Sequence, residues 1–415
     1  MSESSLNAQE PTTQNPILWG AYLGCSWTWC IGMFFPVLLL RDFGWAGFVA
    51  FAVPNVLGAA AMGWVLRSRD DSRSFVDRHP RAVWWFSAVT IGFHAFWIVW
   101  ISSFIRDAVP MPEAYLFGAG AIAVAFAISS GRLIRRGLAP QLAMMLWVVS
   151  AGVLVALMVV PDAKPALDVL IEQPRTGAGV GHGVLWFVPV SIFGFLMCPY
   201  LDVTFHHARQ NLATRSAGRI GFTVGFCVFF ALMIVLTTQY AGVIAAGMRG
   251  DGGLLAISTP WLAAAVLVHV FCQWIFTVRV HLDRMRTLTG DLMASQRALF
   301  GVVLVSVLAG FMVPRMGAYA GLTSGEIVYR CFLTFYGLVF PAYMLYRVVR
   351  KHGMDEGSRI PLQRWMMWLA IGVAAPMFWM GFIERQSVWL GPGMIVVVCG
   401  AFVLKGTSHK ESFGE

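Results

Sequence analysis

A few residues with chemical potential are set deep inside long apolar stretches of this sequence. His94 lies in SAVTIGFHAFWIVW and His269 in VLVHVFCQWIF, both in runs free of other charged residues. An ionisable group at membrane depth is costly, so it marks either a function or a dedicated partner. Histidine titrates near neutral pH, so each ring either relays a coupling proton or rests neutral on a nearby carbonyl or hydroxyl. Gln273 follows His269 by one helical turn and shares its face, where its amide would bind a solute. Asp202 closes the run SIFGFLMCPYLD, just ahead of His206, His207 and Arg209. It reads either as one half of an inner gate pair or as a solvated helix-end acid. Arg330 lies a few residues inside another apolar run and either pairs with Asp42 across an outer gate or snorkels to the interface. Asn55, directly after Pro54, has the amide to satisfy carbonyls that the proline frees.

Other chemistries have no counterpart here. The seven cysteines form no CxxC pair and have no zinc-type spacing, so no metal site is expected. The nine histidines are scattered, without the clustered boxes of a membrane di-iron enzyme, and neither HExxH nor a phosphate-cradling glycine loop occurs. We therefore expect no enzyme and no cofactor beyond a coupling ion, H+ or Na+.

These residues need elements to hold them, and the composition says which kind. Of 415 residues, 58% are hydrophobic and 12% charged, too apolar for a soluble domain. A spanning helix takes about 20 mostly apolar residues. That rule gives twelve spans, at 17–40, 44–66, 82–105, 114–130, 139–160, 184–201, 220–245, 261–278, 298–313, 327–348, 365–383 and 388–404. Cytoplasmic loops should hold the excess of Lys and Arg. Counting Arg347 at the end of the tenth span, even-numbered connections carry twenty such residues and odd-numbered ones seven, an alternation that never fails and places both termini in the cytoplasm. The net charge of +9 is thereby explained as orientation in a membrane, not nucleic-acid binding. A bacterial inner membrane suits this pattern.

Two spans contain breakers around small and polar residues. Span 1 reads WGAYLGCSWTWCIGMFFP, with Gly24, Ser26, Trp27 and Thr28 at its interruption; span 6 reads LWFVPVSIFGFLMCPYLD, with Phe193, Gly194 and Phe195 between prolines. A broken helix is tolerated in hydrocarbon only where protein or a wet cavity surrounds it. The two spans lie five apart and so cross in opposite directions, as an inverted repeat would require. Unwinding is expected near Ser26 and Gly194, with these residues and Gln273 binding the solute. Close packing and ordinary kinks give the same pattern without a site.

Twelve spans, cytoplasmic termini and interrupted spans 1 and 6 together resemble the LeuT-type fold of the amino acid/polyamine/organocation transporter superfamily. The FGF of Phe193 to Phe195 is similar to the span 6 break of amino-acid permeases, and AVPNVLGAAAMG at 52–63 is loosely similar to sodium:solute symporters. The resemblance implies an all-α fold with a 5+5 inverted repeat, residues 17–160 and 184–350, plus two peripheral helices in 351–404. Tails at 1–16 and 405–415 would be cytoplasmic and a loop at 161–183 extracytoplasmic. It also implies a sodium site between span 1 backbone and span 8 hydroxyls, yet span 8 has no Ser or Thr before Thr277. The expected function is secondary active transport of a small organic solute, such as an amino acid or carboxylate, by alternating access. A non-transporting membrane subunit or transporter-like sensor is the alternative; the partners are the solute and membrane lipids.

Overall fold

The computed structural model describes residues 14–102, 137–159, 180–249, 260–286, 288, 292–349 and 356–410. The fold is all-α, as expected: the described residues form helices and short connections, with one isolated bridge between Tyr319 and Leu322. Eight described helices are long and apolar enough to cross a membrane. The expected span at 114–130 and most of the 161–183 loop lie outside the described residues.

The first span is two helices. α1 (Pro16–Trp27) starts with Pro16 in its first turn under an Asn15 cap, whose Oδ1 accepts from the Ile17 N–H. It ends at Thr28, and the chain resumes as α2 (Cys30–Val65), which turns at Gly44 with φ 62° and ψ −155°. That backbone geometry favours glycine and divides the first span from the second. α3 (Arg69–Arg78) is a polar helix within what the sequence suggested was only a loop, closed by a Ser68/Asp71 capping box. α4 (Pro80–Ser102) is the third span and α5 (Ala139–Val159) the fifth.

The sixth span is longer than the sequence suggested. α6 (Val180–Met197) leads through a 3-10 turn at Cys198–Leu201 into α7 (Val203–Asn211), ten residues past the expected end. α8 (Arg215–Val224) continues through a π-helical stretch, Gly225–Phe230, into α9 (Ala231–Arg249). Next come α10 (Pro260–Met285) and α11 (Leu292–Met312). The tenth span is α12 (Ser324–Thr334), a π turn at Phe335–Val339, α13 (Phe340–Met344) and a second π turn at Leu345–Val349. α14 (Glu356–Phe382) and α15 (Leu390–Lys410) close the chain. We call the end carrying α3 inner, following the arginine alternation.

Lipid tails are as apolar as leucine, so helices gain little from burying apolar faces against one another and associate through close backbone approach. A Cβ on Gly58 of α2 would lie 2.2 Å from the Phe195 carbonyl oxygen of α6, and one on Gly24 of α1 2.8 Å from Phe229 Cβ in the π-helical stretch. The first span and α4 form the centre of the bundle: every residue from Trp19 to Asp42 is buried, as is almost all of α4 after Phe86, whereas only 17% of the apolar window of α11 and 28% of that of α5 is buried. Outward positions such as Val155, Val159, Phe300, Val305 and Trp365 are exposed and apolar, as a lipid-facing belt requires.

Candidate solute site at the paired helix breaks

The site begins at the break in the first span. Thr28 leaves the helical region (φ −76°, ψ 66°), and its N–H and hydroxyl both return to the Gly24 carbonyl. The main-chain groups loosened around the break are taken up by side chains from several directions. Trp29 Nε1 donates to Ser26 O, Thr277 Oγ1 to Cys25 O and Tyr329 OH to Cys30 O. Farther along, Thr237 Oγ1 donates to Gly32 O and Tyr240 OH to Met33 O. The first N–H of α2, on Cys30, donates to His94 Nε2 at 3.3 Å. His94 Nδ1 lies 2.7 Å from Thr90 O. A carbonyl only accepts, so the proton is on Nδ1 and the unprotonated Nε2 caps α2.

The sixth span breaks at Cys198–Leu201 and Asp202, downstream of the expected site at Gly194. Gly194 is inside α6, where a Cβ would come within 2.8 Å of Tyr336 O; this glycine serves close packing. Pro199 begins the 3-10 turn, and Asp202 then caps α7, with Oδ1 accepting from both the N–H and the hydroxyl of Thr204 at 2.7 Å. The two breaks touch. Thr204 Oγ1 lies 3.2 Å from Ser26 Oγ, and the Trp27 and Phe205 rings are 4.9 Å apart.

Beside this junction is a cavity of about 40 Å³, with walls that include Trp27, Trp29, Asn55, Gly194, Phe195 and Tyr336. It has room for a few water molecules, so this conformation is closed around the site. Among the described residues that line it, none is charged. Asn55 does not cap carbonyls freed by Pro54; its Oδ1 accepts from Trp27 Nε1 at 2.6 Å and so joins the second span to the first break. Phe35, Phe187 and Phe382 line both this cavity and a second one of about 30 Å³ toward the outer end. Three phenylalanines thus form the partition between them.

Of the expected solute-binding residues, Trp27, Gly194 and Phe195 line the cavity. Gly24 packs against the π-helical stretch, Thr28 closes α1, Ser26 bridges the two breaks and Phe193 is buried in the core. Gln273 is elsewhere: its Nε2 donates to Ser150 Oγ, which also lies 2.7 Å from His269 Nδ1 and 3.0 Å from Leu146 O. His269 Nε2 and Gln273 Oε1 are buried there without a hydrogen-bond partner among the described residues.

Asp202 is fully buried, not solvated at a helix end. Its second oxygen, Oδ2, faces His281 Nε2 at 3.8 Å, and neither atom has a hydrogen bond among the described residues. The other ring nitrogen of His281 lies 3.0 Å from Ser87 Oγ. His206 instead joins α7 to α3 through Nδ1 to the Ser72 hydroxyl and a stacked Phe75, while its Nε2 meets Tyr200 O of the 3-10 turn. At the outer end Arg330 does not snorkel. Its Nη2 reaches Asp42 Oδ2 at 2.5 Å and Glu326 Oε1 at 2.7 Å, and Arg41 binds Glu326 through both terminal nitrogens and Asp42 through Nε. All four side chains of this cluster are buried.

The sequence reading missed Arg41, Glu326 and His281, and the last two had a visible signal. Glu326 stands four residues before Arg330, the spacing of a helical ion pair. His281 continues a stripe of every fourth residue, His269, Gln273, Thr277 and His281, all buried along α10.

No protein-family model matches the chain, and no curated protein matches it. Among solved structures, a mutant of the Eremococcus coleocola manganese transporter aligns with a TM-score of 0.47 at 13% identity, covering 98% of this chain and 97% of that one. A second mutant of the same transporter aligns with a TM-score of 0.39 at 14% identity, covering 95% and 90%. At that level of likeness, what the site does must be argued from this chain's own residues.

Proposed function

We propose that the protein is a secondary transporter that moves a small organic solute by alternating access around the two helix breaks. The observation that carries this reading is the 3.2 Å approach of Thr204 Oγ1 to Ser26 Oγ, which brings two interrupted helices together directly beside an enclosed cavity. Discontinuous helices that meet inside a bundle offer main-chain donors and acceptors to a solute. The aromatic walls, with Asn55 and Tyr336, suit a partly apolar solute with a polar group, such as an amino acid or a carboxylate. A divalent metal ion is poorly served. The cavity wall has no carboxylate, and no group of three or more His, Cys, Asp or Glu converges among the described residues.

Coupling to a proton fits the buried Asp202–His281 pair, two titratable groups whose facing atoms have no hydrogen bond among the described residues. Sodium has less support, because Thr277, the hydroxyl of α10 that meets the first break, already donates to Cys25 O. The test is uptake into proteoliposomes of labelled amino acids, organic acids and manganese, under a proton or a sodium gradient. Accumulation of an organic solute driven by the proton gradient is expected, with the pH dependence flattened in D202N and H281Q. Flattening in H94Q or H269Q instead would move the coupling site to those rings. Manganese uptake alone would overturn the solute assignment, and no uptake of any kind would favour a non-transporting subunit.

A further inference from the structure

A cavity much larger than the two on either side of the phenylalanine partition lies away from both helix breaks. It encloses about 660 Å³ at the inner end, between the start of α4, the tenth span and the start of α14. Four arginines line it, Arg78, Arg81, Arg347 and Arg364, and among the described residues no carboxylate does. Arg78, Arg81 and Arg364 are exposed toward the membrane surface, and Arg78 Nε donates to Ser74 O at 2.9 Å, leaving its terminal nitrogens to meet a ligand. The N-terminus of α4 adds the positive end of a 23-residue helix at the same point. His79 Nδ1 lies 2.9 Å from Tyr343 OH, fixing the loop before α4 to the tenth span and holding the arginines over one opening. Deeper in, the walls turn apolar. Trp85 and Trp368 are 47% and 51% exposed, and Val89, Phe335, Val339 and Phe340 continue the surface.

A cationic rim above an apolar, lipid-facing slot is complementary to one kind of molecule, and neither half has a role in the solute site. We propose that this cavity binds an anionic phospholipid of the inner leaflet, its phosphate on the arginine rim and an acyl chain along the slot between Trp85 and Trp368. Basic pockets between spanning helices on the cytoplasmic side hold anionic headgroups through the charge of each Arg, and a guanidinium fork matches phosphate geometry. A free phosphate would use the rim and leave the slot unfilled. Because both π turns of the tenth span border the slot, the lipid would brace the segment that carries Tyr336 to the solute cavity.

The test uses the delipidated full-length protein in neutral detergent, titrated with phosphatidylglycerol or phosphatidylcholine of identical chains and read by native mass spectrometry. Phosphatidylglycerol should bind at least about tenfold more tightly, as about 1 kcal/mol per arginine implies for two arginines or more. R81Q/R364Q should lose most of that preference, R81K/R364K should keep most of it, and R215Q/R286Q, exposed elsewhere on the inner face, should bind like the unaltered protein. The single variants R81Q and R364Q provide the same comparison if the double variant is not monodisperse. Equal binding of both lipids by the unaltered protein would overturn the proposal. So would a preference untouched by R81Q/R364Q, one lost equally in R215Q/R286Q, or displacement of the lipid by millimolar inorganic phosphate.

Discussion

The outer cluster shows how buried charge is made tolerable at the level of single side chains. Two arginines and two carboxylates cancel in net charge, and Arg330 also donates to Phe382 O at 2.9 Å. Removing one partner leaves a buried charge uncompensated, at a cost of about 3–5 kcal/mol. E326Q should therefore lower the thermal midpoint of the detergent-purified protein sharply, and R41Q/E326Q should recover part of the loss. A double-mutant cycle of thermal denaturation measures this; fully additive losses would show that the two groups are not coupled. His94 behaves differently. Since Nε2 accepts the Cys30 N–H, H94L should cost about 1–3 kcal/mol for the stranded donor, with H94Q milder, in the same assay. Individual residues were only half legible in the sequence. The identity of each buried polar group could be read, but not its partner, because Ser150, Ser87 and Cys30 lie more than sixty residues from the rings they meet.

Helices in this bundle meet where side chains are absent. Gly58→Ala puts a methyl 2.2 Å from Phe195 O, whereas Gly152→Ala on α5 meets nothing within 4 Å. G58A should aggregate or unfold at markedly lower temperature, while G152A should be neutral or gain up to about 1 kcal/mol from helix propensity. Size-exclusion profiles and thermal midpoints of the two variants would separate these outcomes, and equal behaviour would refute the close approach. The same property explains why the spans could be read from the sequence while the break in the sixth could not be placed. Gly20, Gly24 and Gly194 look like helix breakers in the sequence but serve contact, each facing another main chain within 3.2 Å of a built Cβ. The true interruption falls at Pro199 and Asp202, where a missing N–H and a capping carboxylate act together. The π turns left no trace in the sequence, since an extra residue in a turn changes no residue type.

Across the whole molecule, closure is present on both sides of the small cavity. The outer side has the phenylalanine partition beneath the ion cluster; the inner side has α3 fastened to α7, with Arg209 donating to the carbonyls of Leu66, Arg67 and Leu212. The orientation assigned from charge makes a direct prediction. An epitope inserted at Gly317, where a side chain meets open space, should be reached by antibody in intact cells or right-side-out vesicles. One inserted at Ala213 should be reached only after permeabilisation; the reverse pattern would invert the topology. The first break has a kinetic consequence as well. Its main-chain groups are held from α4, α10 and α12 at once, through His94, Thr277 and Tyr329. A half-helix anchored by three separate neighbours cannot swing until all three have let go, and each release costs about 0.5–1.5 kcal/mol before new donors are found. Turnover should accordingly climb steeply on warming, and Y329F, by loosening one tether, should flatten the Arrhenius slope.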